Sequence, residues 1–340
     1  NIGGQERIKA ALQGQEVDRV PCSVWMHLSD VDQDPVSLAE EMVARNEEFD
    51  FDFIKMMPFG AYTTQDWGAK IKIYCDKYKE PVIVQPAIRE LSDYAKVEPL
   101  AATYGTWGKT LEVAKHMSKL VVGDTPYIQT IFSPATTLKK LASNRLISDM
   151  VENPAEVHKA LRAITETTIN FVKANIEAGV SGFFFATQCA TYDFMTDQLF
   201  AEFCKPYDLA VIDAYKDETW FNVVHIHGSN IMYDTVSQYP CNCVNWHDRD
   251  TKPSMEEARK NVAKTFLGGI QEVPTIIDGV LSYDSILARS TPEQVIEHVH
   301  QAIDMVGGKS LIVGPGCVCD PKTTEANLHA VRQAVESYKK

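Results

Sequence analysis

Short runs of apolar residues recur along the whole chain and alternate with segments of helical pattern. Most of these runs are continuously apolar, which is typical of parallel strands that are covered on both faces. We predict eight strands in this order: Val20–Leu28, Phe51–Met57, Pro126–Phe132, Val180–Ala186, Phe221–His227, Cys241–His247, Thr265–Ile270 and Ser310–Val313.

The segments between the runs carry signals for the beginning and the end of helices. Pro154 begins a long helix that ends near Ala178, and Gly179 follows it. Proline at the first helical position and glycine just after the last one is the usual arrangement. Further helices are predicted from Thr291 to Gly307, from Thr324 to Tyr338 and over Met195–Asp217.

Strands that alternate with helices, without a Pro/Gly/Ser-rich linker, predict one (β/α)₈ TIM barrel and a single domain over residues 1–340. A doubly wound open sheet is the alternative. No Gly-x-Gly-x-x-Gly follows the first strand, which disfavours the dinucleotide-binding version of that fold. Residues 60–87 do not fit the repeat. Ile71–Tyr74 can pair with Pro81–Gln85, which predicts a hairpin-like insertion over the barrel mouth.

The charge balance narrows the classes of partner. The 340 residues contain 33 Lys and Arg against 46 Asp and Glu, a net charge of −13. An acidic chain without a basic stripe is not typical of nucleic-acid binding. No apolar run approaches the roughly 20 residues that cross a bilayer. We therefore expect a cytoplasmic protein that binds neither nucleic acid nor membrane, and whose eight cysteines do not form disulfides.

Residues at the strand ends are the candidates for chemistry, because the active site of such a barrel lies at the carboxyl ends of its strands. His225 and His227 are two residues apart on one strand and so point to the same face. With the thiolate of Cys317, after the last strand, they would form a zinc site with an open fourth position, the catalytic arrangement. Two hydrogen-bonded histidines without a metal fit the spacing equally well. Cys319 is a rival to Cys317.

Other strand ends offer further candidates. His247 and Asp248 could act as an acid/base pair, as a pair that orients the ligands or as an extra ligand. Lys55 could be a catalytic lysine, a cation that holds an anionic group or half of a structural ion pair. We expect substrate contacts from a set of strand-end and aromatic residues, although the aromatic ones are also typical of a core. The set is Trp25, His27, Gln188, Tyr192, Trp246 and Gln271.

Several short segments stand in a specific order along the chain. They are Glu6–Gly14 with Val17–Pro21, Thr125–Ile128 with Ser133–Leu138, His225–Gly228, and Gly314–Cys317 with Thr323–Leu328. Together they resemble the uroporphyrinogen decarboxylase superfamily over essentially the whole chain. The resemblance implies the (β/α)₈ fold and one of two activities: decarboxylation of uroporphyrinogen, or methyl transfer that involves a corrinoid protein.

The decarboxylase branch of this superfamily is a poor match. That branch carries Arg-Gln-Ala-Gly-Arg after the first strand to bind substrate carboxylates, whereas the segment from Val20 to Ala44 contains no Arg or Lys. Its aspartate after the second strand is replaced here by Lys55–Pro58, and its late Gly-His-Gly by Gly314–Cys317. The resemblance therefore favours the methyltransferase branch.

The methyltransferase branch holds zinc on a His-x-Cys and on the Cys of a later Pro-Gly-Cys. His225 and Cys317 match that pattern, and His227 stands where the branch has cysteine. The resemblance thus implies zinc at His225, His227 and Cys317. Exchanging a thiolate for a neutral imidazole makes the site one charge more positive, so zinc becomes a stronger Lewis acid toward oxygen.

The more positive site favours demethylation of a small O-methyl compound, with the methyl group passing to Co(I) of a corrinoid. We expect His247, Asp248 and Lys55 to be the catalytic residues, with His247 and Asp248 protonating the leaving oxygen. The chain lacks the Asp-x-His-x-x-Gly corrinoid motif, so the corrinoid must come on a separate protein. The alternatives are a decarboxylase-like lyase with Lys55 or His247 as acid, methyl transfer from a methyl-corrinoid to a thiol, and a non-catalytic tetrapyrrole-binding protein.

Overall fold

The computed structural model describes residues 2–272, 275–277, 280–282 and 285–339. Its α-helices are α1 (Gly4–Leu12), α2 (Pro35–Phe49), α3 (Gly105–Leu120), α4 (Pro134–Ala142), α5 (Leu146–Glu152), α6 (Pro154–Glu177), α7 (Asp197–Phe203), α8 (Lys205–Asp213), α9 (Tyr233–Val236), α10 (Met255–Arg259), α11 (Ile286–Arg289), α12 (Pro292–Val306) and α13 (Glu325–Ser337). Short 3₁₀ helices span Gln65–Trp67, Leu91–Lys96 and Ser143–Arg145. The strands are β1 (Ile54–Lys55), β2 (Lys70–Lys72), β3 (Val82–Gln85), β4 (Tyr127–Phe132), β5 (Gly182–Thr187), β6 (Val223–Ile226), β7 (Cys243–Trp246), β8 (Thr265–Ile270), β9 (Thr275–Ile277), β10 (Val280–Ser282) and β11 (Leu311–Pro315).

Within the described residues, seven parallel strands form one curled sheet in the order β1-β4-β5-β6-β7-β8-β11. Every residue of β4, β5 and β8 is buried, as their continuous apolar runs predicted. The segment over residues 20–26 lies between the two edges of this sheet. Cys22 bridges Val313 and Met26 bridges Cys319 on one side, while the Asp52 amide donates to the Cys22 carbonyl on the other. The predicted α/β barrel fold is confirmed.

The first predicted strand, Val20–Leu28, is not a regular strand, and this part of the prediction was wrong. Side chains replace its ladder partners on the β1 side: the Asp52 carboxylate accepts from the Cys22 amide at 2.8 Å, and the Ser23 hydroxyl donates to the Phe53 carbonyl at 2.7 Å. Pro21, which has no amide hydrogen, lies in the same stretch. The segment therefore closes the barrel through isolated bridges.

Most of the predicted helices are confirmed, with one exception. α12 begins in a capping box made by Thr291 and Gln294 and ends at Gly307 in the left-handed conformation. The single helix predicted over Met195–Asp217 is two helices, α7 and α8, which meet at Cys204. Pro206 at the beginning of α8 lacks the amide hydrogen that a continuous helix would need.

The insertion contains the predicted hairpin, with β2 and β3 paired antiparallel. At its base the Asp66 carboxylate accepts from the amides of Thr106 and Trp107 at 3.0 and 3.1 Å, at the beginning of α3. Near its tip Glu80 lies 3.0 Å from Nε2 of His27, which follows the first barrel segment. The hairpin thus reaches the mouth of the barrel. That residues 1–340 are one domain stays a prediction.

In the described part of the chain, no helix is both long and apolar enough to cross a membrane.

Candidate metal and active site

Four potential metal ligands meet at the carboxyl ends of the strands: His225 on β6, His227 just after it, His247 just after β7, and Cys317 after β11. Their donor atoms all lie within 4.8 Å of one another. Nδ1 of His227 is 3.4 Å from Nε2 of His225, 3.3 Å from Nε2 of His247 and 3.5 Å from Sγ of Cys317. Ligands at the corners of a zinc tetrahedron are about 3.3–3.6 Å apart, so the spacing suits zinc.

The register of the sheet brings two of these residues together. β6 and β7 pair in parallel with His225 opposite Asn245. Because side chains alternate along a strand, Asn245 and His247 point to the same side. Asn245 therefore lies beside His225, and His247 lies two residues further along, nearer the barrel mouth.

Asn245 fixes the tautomer of His225. The amide nitrogen of Asn245 donates to the carbonyls of Leu267 and Pro315 at 2.7 and 3.0 Å. Its Oδ1 therefore faces Nδ1 of His225, 2.6 Å away, and accepts a hydrogen bond from it. With Nδ1 protonated, the lone pair of Nε2 points into the cluster, as a metal ligand requires.

Glu272 orients His247 in the same way. Its Oε1 contacts Nδ1 of His247, and its Oε2 accepts from the amide of Gly316 at 2.9 Å. Both side chains are almost fully buried. When Nδ1 of His247 donates to this carboxylate, its Nε2 presents a lone pair to the cluster.

Hydrogen bonds among the four side chains satisfy this arrangement poorly. When Glu272 is a carboxylate, the Nε2 atoms of His225 and His247 both present lone pairs, and Nδ1 of His227 can donate to only one of them. The other lone pair would depend on the Cys317 thiol, which is a weak donor. A cation among the four donors removes the mismatch, so the residues fit a metal ion.

The protonation states also suit a metal. Burial lowers the pKa of His227 and of His247 to about 4, and that of His225 well below its ordinary value. The imidazoles are therefore neutral, and available as ligands, at physiological pH. Burial, and then the charge of Glu272, raises the pKa of the Cys317 thiol to about 12. Metal binding must therefore displace a proton from Cys317.

Lys55 and Trp25 lie in the barrel interior beside the cluster. Nζ of Lys55 is 3.1 Å from the Met57 sulfur and 4.4 Å from the centre of the Phe184 ring, which stacks on the His225 ring at 5.3 Å. Trp25 meets Phe184 edge-on at 5.7 Å, and its Nε1 is buried without a partner among the described residues. Burial lowers the pKa of Lys55 to about 7.

Two of the predicted site residues, Trp246 and Asp248, lie away from the cluster. Trp246 alternates with Asn245 and His247, so it faces the helices, where it packs on Phe266 and donates to the Pro253 carbonyl at 2.8 Å. The Asp248 carboxylate does not pair with His247. It accepts from the Gly269 amide at 3.0 Å and is buried, which raises its pKa to about 7.

The remaining predicted substrate contacts are spread around the strand ends. Tyr192 is half-exposed, and its hydroxyl donates to Asp197. Gln271 is buried, and its Oε1 accepts from the Ile286 amide at 2.9 Å. Gln188 follows β5 and is partly exposed, and His27 pairs with Glu80 of the hairpin. None of these four belongs to the four-residue cluster defined above.

Sequence reasoning missed Asn245 and Glu272 as the orienting residues. Asn245 could have been found from its two-residue spacing to His247, which places both on one face. Glu272 directly follows Gln271, a predicted substrate contact at a strand end, but the pairing of Glu272 with His247 depends on neighbouring strands and has no signal in the local pattern.

Comparison with known proteins gives one family over the chain. The family model described as uroporphyrinogen decarboxylase (URO-D) matches residues 4–338. Methylcobamide:CoM methyltransferase MtbA of Methanosarcina acetivorans is 23% identical, and that of Methanosarcina mazei is 22% identical; each alignment covers 98% of both chains. A solved structure described as a methyltransferase from Methanosarcina mazei superposes with a TM-score of 0.77 at 18% identity over 99% of both chains, which shows a shared fold.

Proposed function

The chain belongs to the uroporphyrinogen decarboxylase family, and we propose that within it the protein is a zinc-dependent methyltransferase that moves a methyl group from a small O-methyl compound to the cobalt of a separate corrinoid protein. One observation carries this proposal: three histidines and one cysteine converge at the strand ends with the spacing of a zinc tetrahedron. The relatives named methylcobamide:CoM methyltransferase support methyl transfer with a corrinoid as the general class.

His225, His227 and Cys317 would hold the zinc, with His247 facing the same point. Bound there, zinc would act as a Lewis acid on the oxygen of the methyl donor. One thiolate with neutral imidazoles leaves the site with a net positive charge, which favours an oxygen that becomes negative as its methyl group leaves. Asn245 and Glu272 keep the ligand nitrogens aimed at that point.

The reaction is a displacement at carbon. The bond between the donor oxygen and the methyl carbon breaks, and its electron pair stays on oxygen. The electron pair of Co(I) forms the new cobalt–carbon bond, so the cobalt becomes formally Co(III). One proton is needed to convert the leaving oxygen into an alcohol or a phenol.

The pair of His247 and Glu272 is placed to supply this proton. When Glu272 is protonated it donates to Nδ1 of His247, and Nε2, which faces the cluster, then carries the ring proton that can pass to an oxygen bound there. Burial raises the pKa of Glu272 to about 8, and so the pair can hold a proton near neutral pH. Glu272 thus takes the part that the sequence had suggested for Asp248.

Lys55 is proposed as a further catalytic residue beside the cluster. Its ammonium lies among sulfur and aromatic rings, one of which stacks on His225. A cation in such apolar surroundings is available to stabilise negative charge on the donor or the leaving group. Trp25 would contact the substrate from the same side.

Decarboxylation of uroporphyrinogen would need cations along the first barrel segment to pair with the substrate carboxylates, and residues 20–44 contain no Arg or Lys. The nearest arginines before the first barrel segment, Arg7 and Arg19, both bind the buried Asp52 carboxylate, at 2.7 and 2.8 Å. They lie at the amino end of the barrel segment, away from the cluster. Unpaired carboxylates in a cleft cost several kcal/mol each in principle.

A second candidate is transfer from a methyl-corrinoid to a thiol, because this is the activity in the names of the two relatives. The two functions differ in the atom that the metal activates. His227 stands where the methyltransferase branch has cysteine, which raises the charge of the site, and this favours an oxygen donor over a thiolate acceptor.

The test is a spectroscopic assay with free cobalamin. The zinc-loaded protein is mixed with cob(I)alamin and a set of methoxy compounds, and formation of methylcobalamin is followed by absorbance. We expect methylcobalamin with at least one O-methyl donor. If the protein instead only demethylates methylcobalamin in the presence of thiols, the second candidate is correct. Formation of coproporphyrinogen from uroporphyrinogen would contradict both.

A further inference from the structure

The hairpin at the barrel mouth exposes an unusual concentration of large apolar side chains. Among the described residues ten large hydrophobic side chains are exposed, and five of them fall within residues 73–84. Val84 is 61% exposed and Tyr78 is 58% exposed. We name this surface the hairpin patch; its apolar members are Ile73, Tyr74, Tyr78, Val82 and Val84.

The hairpin patch is also basic. Residues 70–85 contain four lysines, at positions 70, 72, 77 and 79, against Asp76 and Glu80, a net charge of +2. The rest of the chain has a net charge of −15. Several of these lysines lie over the tyrosine rings, with Nζ of Lys72 5.0 Å from the centre of Tyr74 and Nζ of Lys77 5.8 Å from that of Tyr78.

The pairing of β2 with β3 explains why Val82 and Val84 face outward. Lys72 lies opposite Val82, and Ile71 opposite Ile83. Ile71 and Ile83 are half-buried, whereas Lys72, Val82 and Val84 are exposed on the other face. An exposed ribbon with apolar side chains is an aggregation hazard unless a partner covers it.

The position of the hairpin fits a partner of the active site. Its base is fixed by Asp66 at the beginning of α3, and its tip meets His27 through Glu80. A protein that brings a large cofactor to the four-residue cluster must approach through the barrel mouth. The rim of that mouth, including the hairpin, then lies inside the contact surface.

We propose that the hairpin patch is the docking site for the corrinoid protein, and that the docking face of that protein is acidic around an apolar centre. This inference rests on the proposed function. The lysines would steer the encounter with the acidic partner, so association should slow as salt rises. The valines and tyrosines would form the water-excluding centre of the contact.

The test compares two double variants of the full-length, zinc-loaded protein. Lys72→Glu with Val84→Glu reverses charge and removes apolar surface in the hairpin patch. Lys119→Glu with Val122→Glu makes the same exchange at the end of α3, where Val122 is 80% exposed before the amino end of β4. Neither variant touches the four-residue cluster or its orienting residues, and circular dichroism confirms the fold of both.

The probes are cobalamin-loaded corrinoid proteins of the same organism, chosen by their Asp-x-His-x-x-Gly motif and purified separately. We expect at least one to bind, its affinity to fall tenfold or more in the hairpin variant, and less than twofold in the control variant. Methyl transfer to free cob(I)alamin should be equal in all three proteins, because that acceptor needs no docking.

Equal binding by the hairpin variant and the wild type would overturn the proposal, as would failure of every corrinoid protein to bind the wild type. If methyl transfer to free cob(I)alamin is absent in the wild type, the proposed function fails rather than the docking site. A wild-type dimer in light scattering that the hairpin variant breaks into monomers would overturn the proposal in favour of a second copy of this chain.

Discussion

The two sides of the barrel mouth are built in different ways. On the side of β6, β7 and β11, regular strands carry the cluster, and Asn245 and Glu272 hold the ring nitrogens of His225 and His247. The first segment has no ladder on either side: it meets β11 and Cys319 through isolated bridges, and it meets the β1 side through side-chain hydrogen bonds of Asp52 and Ser23. There the buried Trp25 Nε1 has no partner among the described residues, and Lys55 meets sulfur and aromatic rings.

This difference suits two separate functions, binding a metal and binding a substrate. A metal site needs ligands held within narrow limits, which regular strands and orienting hydrogen bonds provide. A substrate site needs donors that are not already satisfied by the protein, although burying them lowers stability. We infer that the first side holds the metal and the second side receives the methyl donor.

The largest expected effect comes from removing the thiolate on the metal side. Cys317→Ser should lose zinc and reduce methyl transfer by at least about 100-fold, more than the loss typical of an orienting residue. The fold should persist because strand-end residues serve activity more than stability. Metal analysis and initial rates measure this, with Cys75→Ser, at an exposed cysteine, as the control. Full zinc content in Cys317→Ser would remove this residue from the ligand set.

Removing an orienting side chain should have a smaller effect on the same side. Asn245→Ala frees Nδ1 of His225 and leaves its tautomer unfixed. Zinc affinity should fall about 10–100-fold, as measured by competition with a chelating dye. The same competition for Asp248→Asn is the control, since the Asp248 carboxylate binds the Gly269 amide instead of a ligand. Equal losses of zinc affinity in both variants would show a general effect of changing residues at the carboxyl ends of the strands.

On the substrate side, the expected effect is on stability and depends on pH. The pKa of Lys55 falls from 10.5 to about 7 in the folded protein, so the folded state binds fewer protons than the unfolded state between these values. The burial of Lys55 therefore lowers the free energy of unfolding by its full amount below about pH 7. This destabilisation becomes smaller as the pH rises toward 10.5. Lys55→Met should raise the free energy of unfolding by about 1–4 kcal/mol at pH 6 and by much less at pH 10.

Thermal unfolding of Lys55→Met across this pH range checks the sign, and Lys72→Met, at an exposed lysine, is the control. Methyl transfer by Lys55→Met should slow even as its stability rises. A variant that is less stable than the wild type at pH 6 would mean that Lys55 has a structural partner, and the contrast between the two sides would then fail.

The smallest expected effect concerns the choice of donor atom. His227→Cys restores the pattern of the methyltransferase branch that the sequence resembles, and it should keep zinc while lowering the charge of the site. Transfer from a methoxy donor should then slow several-fold more than transfer from a methylthio donor, because the oxygen depends more on Lewis-acid strength. Initial rates with cob(I)alamin and paired donors measure the ratio. Equal slowing of both would contradict the role given to His227.

The fold could be predicted largely from the alternation of buried strands with capped helices. β8 has the predicted bounds, and α12 begins and ends at its predicted signals. The first segment could not be predicted in detail, because Asp52 and Ser23 replace its ladder partners through side-chain contacts that periodicity does not record.

The candidate site was predictable where one strand carries the information. His225 and His227 lie two residues apart at the end of β6, and Cys317 follows Gly314-Pro315-Gly316, so local pattern and resemblance were sufficient to single them out. The pairing of His247 with Glu272 joins the ends of two different strands. Such a contact depends on which strands are neighbours in the sheet. A single sequence indicates this only after its fold has been assigned.

The most direct test of the metal side is the metal content of the purified wild-type protein together with X-ray absorption at the zinc edge. We expect one zinc ion per chain, with one sulfur ligand at about 2.3 Å and nitrogen ligands at about 2.0–2.1 Å. Methyl transfer should be lost when a chelator removes the metal and should return when zinc is added. A metal-free protein that still transfers methyl groups, or a zinc ion without a sulfur ligand, would contradict this site.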